Sequence, residues 1–195
     1  MTSSTAGQLT AYDLRELSVL IIDDNQHMRY LVRQLLFAFG IKKTFEAEDG
    51  ATALQALQNF EADLAICDWH MAPLDGIEFT RMTRRSDDTA NPFLPIIMLT
   101  GHTELHRVEE ARDAGVDEFL SKPISASKLY SRIVKIIEKR RPFVRSPIYL
   151  GPDRRRRSHN PAFRGEERRQ DMLDDEGPAP GNLFAKTVMP SHHAP

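Results

Sequence analysis

Five short apolar runs, each followed by a stretch of helical period, occupy the chain between residues 18 and 139, and no other feature limits its fold as strongly. The runs are residues 19–22, 44–47, 64–67, 96–99 and 116–120. Their followers carry apolar residues three or four apart: Met28, Leu31, Val32, Leu35 and Leu36; Ala53, Leu54 and Leu57; Ile77, Thr80 and Met82; Leu105, Val108, Glu109 and Ala111; Leu129, Ile133, Ile136 and Ile137. Strands alternating with helices imply parallel βα units. Right-handed crossovers then place helices on both faces of one sheet. The spacing therefore predicts an α/β fold with a doubly wound, five-stranded parallel sheet. The first, third and fourth runs are apolar throughout, as strands covered on both faces require. The second and fifth, broken by Glu46 and by Asp117 and Glu118, suit the edges.

Composition subdivides what the pattern leaves over. Residues 1–138 hold 14 basic and 21 acidic residues, net −7, whereas residues 139–169 hold 11 and 3, net +8. Most of the 12 prolines fall after residue 141, and aliphatics thin out there. Such a segment buries too little surface to offset the entropy of ordering. The expected organisation is a flexible segment 1–15, a domain 16–140, and a disordered Pro- and Arg-rich tail 141–195. A single cysteine, Cys67, excludes an internal disulfide or a multi-cysteine metal site. The N-terminus has neither the basic nor the apolar region of a signal peptide, and no run nears the ~20 apolar residues of a membrane span. A cytoplasmic protein is the expectation.

In an open parallel sheet, ligands bind beyond the carboxyl ends of the strands. Asp23 and Asp24 follow the first run, Asp68 the third, Thr100 the fourth and Lys122 the fifth. Five side chains up to about a hundred positions apart should therefore meet on one patch. Three gathered carboxylates repel, and a hard divalent cation such as Mg²⁺ offsets that at little cost. A lysine ammonium adds a compact positive charge, and a threonine hydroxyl can donate to an anionic oxygen. That set is what phosphoryl transfer to a carboxylate needs.

With these residues in place, the chain resembles the response-regulator receiver domain, the CheY-like, flavodoxin-like (βα)5 fold of two-component signalling. The resemblance rests on Leu20-Ile-Ile-Asp-Asp24, on Asp68-Trp-His-Met with Leu74-Asp-Gly76, on Thr100-Gly101, and on Phe119-Leu-Ser-Lys-Pro123. It implies Asp68 as phosphoacceptor, and Mg²⁺ held by Asp23, Asp24, Asp68 and the His70 backbone carbonyl. Lys122 would contact the phosphoryl group, and the Lys122–Pro123 bond would be cis. Thr100 and Phe119 would form the switch. Met71-Ala72-Pro73 departs from the family's usual Met-Pro order, which implies altered loop dynamics with the site kept. Tyr149-Leu-Gly-Pro-Asp-Arg-Arg-Arg156 resembles a tail segment that follows some alphaproteobacterial receivers.

The resemblance implies a single-domain response regulator, not an enzyme beyond its own Mg-dependent phosphorylation and dephosphorylation. Its partners would be a sensor histidine kinase or histidine phosphotransfer protein and an unnamed downstream protein, with phosphorylation-dependent dimerisation left open. Rival readings are an intermediate relay or phosphate sink, and an adaptor whose Arg154, Arg155, Arg156 and Arg157 hold nucleic acid or an acidic partner. Sequence-specific DNA binding is not expected. A phosphohydrolase would place a second Asp two positions after the nucleophile, where this chain has His70. By residue type alone Trp69 reads as a loop residue, His70 and His102 as bystanders, and Cys67 as a small buried hydrophobe.

Overall fold

A computed structural model describes residues 12–85, 91–101, 108–146 and 149–153. The described strands and helices are β1 (Ser18–Ile22), α1 (Gln26–Ala38), β2 (Lys43–Ala47), α2 (Gly50–Ala56), β3 (Leu64–Asp68), α3 (Gly76–Arg85), β4 (Ile96–Thr100), α4 (Val108–Ala114), β5 (Glu118–Ser121) and α5 (Ala126–Lys139). A final pair, β6 (Phe143–Ser146) and β7 (Tyr149–Pro152), follows. The first five strands pair in parallel in the order β2-β1-β3-β4-β5. The two interrupted runs, β2 and β5, are the sheet edges.

Alternation along the strands splits the core in two. Leu20, Ile22, Cys67 and Met98 face Ala53, Ile77, Phe79 and Ala111, so α2, α3 and α4 cover one side. Val19, Ile21, Ile66 and Leu99 face Val32, Leu36, Leu129 and Ile133, so α1 and α5 cover the other. Caps fix where helices begin. Asn25 accepts from the backbone N–H groups of His27 and Met28 at the start of α1. Asp49 accepts from the N–H of Thr52, whose hydroxyl takes the Asp49 N–H in return, a capping box on α2. Met82, counted in the apolar period of α3, is 47 % exposed, and Leu105 lies outside the described residues.

Described residues on the far side of both expected boundaries pack against the domain. Leu14 is buried in the α1 and α5 side of the core, and Tyr12 bonds Glu138 through its hydroxyl, so the described chain is already packed within the segment expected to be flexible. After α5 it does not enter a disordered tail at residue 141. Instead β6 and β7 pair antiparallel, Val144 opposite Gly151 and Arg145 opposite Leu150, and β7 lies against α3. Proline-rich composition masked two strands of four residues each. Residues 1–11 and 154–195 lie outside the described set, the latter taking in Arg154, Arg155, Arg156 and Arg157.

Candidate functional site

The carboxyl ends of β1, β3, β4 and β5 bring the chemistry together. Asp23 follows β1 directly and is buried; its backbone N–H is taken by the carbonyl of Ala47, at the end of β2. Its carboxylate accepts from the N–H of Asn25 at 2.9 Å, while Arg29 donates to its backbone carbonyl at 2.7 Å. Arg29, on the first turns of α1, thereby ties the turn that carries Asp23 and Asp24 to the helix; it also pairs with Glu46 of β2. Asp68 closes β3. One carboxylate oxygen each from Asp23, Asp24 and Asp68 lies within 4.8 Å of the others, Asp24 being the exposed member.

Lys122 reaches this cluster from the loop after β5. Its ammonium lies 2.7 Å from Asp68 and 3.3 Å from Asp23. Its backbone N–H donates to the carbonyl of Thr100 at 2.8 Å, so the end of β4 positions it. Burial raises the Asp68 carboxyl above its usual range and nearby Asp23 adds to this, with Lys122 pulling the other way. Burial alone would depress the Lys122 ammonium, but Asp68 and Asp23 together hold it above its ordinary value. The charges are thus only partly balanced: three carboxylates face one cation. Oxygen donors at this spacing fit a hard divalent ion, and the residues that would hold it are Asp23, Asp24 and Asp68.

Thr100 is 1 % exposed, and its hydroxyl has no hydrogen-bond partner among the described residues. A buried hydroxyl left unpaired costs free energy unless something meets it. Phe119, opposite Met98 in the β4–β5 ladder, is half-buried against the α2 to α4 side of the core. His70 is exposed, its ring tilted against Trp69 with centroids 6.4 Å apart. The Lys122–Pro123 and Ala72–Pro73 bonds are both cis. Cys67 is fully buried, and burial raises its thiol well above the ordinary range.

Trp69 stands in the bend after β3, as expected of a loop residue, yet it is 2 % exposed and packs in the core: its N–H donates to Leu99 and its carbonyl accepts from Gly76. Continuing the period-two alternation from Cys67 through the loop would have found it. A second cluster also escaped the sequence. Arg84 on α3 and Asp117 before β5, both buried, lie 3.0 Å apart at the opposite ends of the strands. They stand 33 positions apart, with no periodic trace. His102 lies outside the described residues.

Comparison with known proteins follows the same outline. The family model for the response regulator receiver domain matches residues 19–134. The Vibrio cholerae chemotaxis protein CheY-3 is 34% identical over 125 residues, covering 64% of this chain and 95% of that protein. The Pseudomonas aeruginosa chemotaxis protein CheY is 35% identical over 123 residues, 63% of this chain and 98% of its own. Among solved structures, Vibrio cholerae CheY4 matches with TM-score 0.56 at 29% identity, over 61% of this chain and 97% of that one. The receiver domain of a Pseudomonas aeruginosa sensor histidine kinase, solved with magnesium in its active-site cleft, matches with TM-score 0.53 at 26% identity, over 61% and 94%. The family match stops short of β6 and β7.

Proposed function

The chain belongs to the response-regulator receiver family of two-component signalling, and from that premise we propose that Asp68 accepts a phosphoryl group from a histidine kinase or histidine phosphotransfer protein. The observation that carries the reading is the Lys122 ammonium held 2.7 Å from a buried Asp68 that two further carboxylates adjoin. In the transfer, an Asp68 carboxylate oxygen forms the new P–O bond as the donor's P–N bond breaks. Lys122 would turn from Asp68 to the incoming phosphoryl oxygens, and the unpartnered Thr100 hydroxyl would donate to another. Asp23, Asp24 and Asp68, with the His70 carbonyl, would hold Mg²⁺, which would supply charge neutralisation for the phosphoryl group. Phe119, only half-buried, has room to follow Thr100, remodelling a protein-binding surface.

Acetyl phosphate with Mg²⁺ tests this. Intact mass spectrometry should show a single phosphoryl adduct, labile to base, that Asp68→Asn lacks; a wild-type mass left unchanged would sink the reading. Transfer from the phosphoprotein to a histidine phosphotransfer domain separates a relay from a binding switch, since only a relay donates. Whether phosphorylation also drives dimerisation is read from sedimentation of the same sample.

A further inference from the structure

The β6–β7 hairpin lies outside the family match and sits on the ends of β4 and β5 away from Asp68. Its seat is an unusual one. Arg84 and Arg140 both pair with the single carboxylate of Asp117, at 3.0 and 3.5 Å. Both guanidiniums lie over the Phe143 ring, 5.2 and 4.6 Å from its centre, and Phe93 meets that ring edge-on. Arg141 donates to the backbone carbonyls of Val116 and Asp117 at 3.1 and 2.7 Å, and to the carbonyl of Asp153 at 3.3 Å, where β7 returns to the base of the hairpin. The hairpin is therefore strapped to the chain entering β5.

This seat is buried and carries surplus like charge. Two guanidiniums share one carboxylate, and among the described residues the Asp117 Oδ1 and Arg140 Nε atoms face each other at 3.5 Å as an ion pair without closing a hydrogen bond, while Arg84 also donates to the carbonyls of Gly115 and Pro92. Burial, with Arg140 close by, lowers Arg84 to about 10. Two buried guanidiniums on one carboxylate repel each other, and opening the cluster to water would relieve that repulsion and rehydrate the charges. The strands it holds are also the strands that end at the phosphorylation site. Asp117 accepts from the N–H of Ile96 at 3.0 Å where β4 starts, and five residues later Lys122 bonds Thr100 where β4 stops. One short ladder joins the two poles.

We propose that the β6–β7 hairpin is a strap whose seating on Asp117 is coupled to phosphorylation of Asp68, so that the phosphorylated chain holds the hairpin more loosely and presents the segment beyond Pro142. The proposal rests on the reading of Asp68 as phosphoacceptor. Coupling of this kind is reciprocal: loosening the strap must favour the occupied site by the same factor.

Hydrogen–deuterium exchange on the full-length chain, with Mg²⁺ and either acetyl phosphate or beryllium fluoride as a phosphoryl mimic, tests it. Peptides spanning residues 143–152 should exchange several-fold faster in the occupied protein, and not in Asp68→Asn. An adduct on Asp68 with unchanged exchange in those peptides overturns the strap and leaves the phosphoacceptor standing. Absence of any adduct overturns both. A second measurement uses Arg141→Ala, which removes the bonds to Val116 and Asp117 without touching the site. Beryllium fluoride, followed by Trp69 fluorescence, should bind it more tightly than wild type; equal or weaker binding counts against the coupling.

Discussion

At the scale of single residues, Asp117 shows how little room a buried charge has. Its carboxylate answers Arg84, Arg140 and the N–H of Ile96 at once. Asp117→Ala would leave a fully buried guanidinium without its counter-charge, and breaking a buried pair from one side costs about 3–5 kcal/mol. Urea denaturation should show that loss, whereas removing the exposed Arg81–Glu110 pair should change stability by less than about 1 kcal/mol. The residues of the site were legible because parallel strands deliver their C-terminal neighbours to one place, so Asp23, Asp24, Asp68, Thr100 and Lys122 could be read off strand ends. Asp117 was not. Beside Glu118 it looked like an edge-strand interruption, and nothing in a linear pattern says which acidic residue will find an arginine 33 positions away.

At the scale of elements, capping gives the sharpest expectation. Asp49 holds the first turn of α2, and the backbone N–H of Thr52 keeps its carboxyl below the usual range. Asp49→Ala should cost about 1 kcal/mol at neutral pH. The charged form is the one stabilised, so this contribution is fully present above the ordinary aspartate value of 3.8 and fades as pH falls through the lower folded value. Denaturation of wild type and variant at pH 7 and below pH 3 should therefore converge at the acid end. The five strands could be placed from sequence to within two residues, and the long apolar periods of α1 and α5 fall inside the helices observed. The short α4, seven residues whose buried members are Ala111 and Ala114, left little period to read. The hairpin left less, since Phe143, Val144, Tyr149 and Leu150 alternate too briefly against a proline-rich background.

At the scale of the whole molecule, the near-neutral net charge of −2 conceals opposed regions, and the fold assigns part of each a use. The acidic surplus includes the gathered carboxylates of the site, which Lys122 offsets only in part. Mg²⁺ binding should stabilise the folded chain by about 2.7 kcal/mol at a hundredfold excess over its Kd. Asp24→Asn should remove most of the corresponding rise in Tm, measured by calorimetry with and without the ion. The basic surplus is partly internal: Arg140 and Arg141 are spent holding the hairpin. That hairpin is also bound by shape. Gly115, at φ +105°, holds a backbone conformation that side chains rarely adopt and would bring a Cβ within 3.1 Å of Arg84, and a Cβ on Gly151 would stand 3.0 Å from the Gly115 Cα. Backbone rests on backbone there. Grafting residues 141–153 onto another receiver would accordingly fail unless glycine at the α4–β5 turn, with Arg84 and Asp117, travelled too: the addition is written into the host as much as into itself.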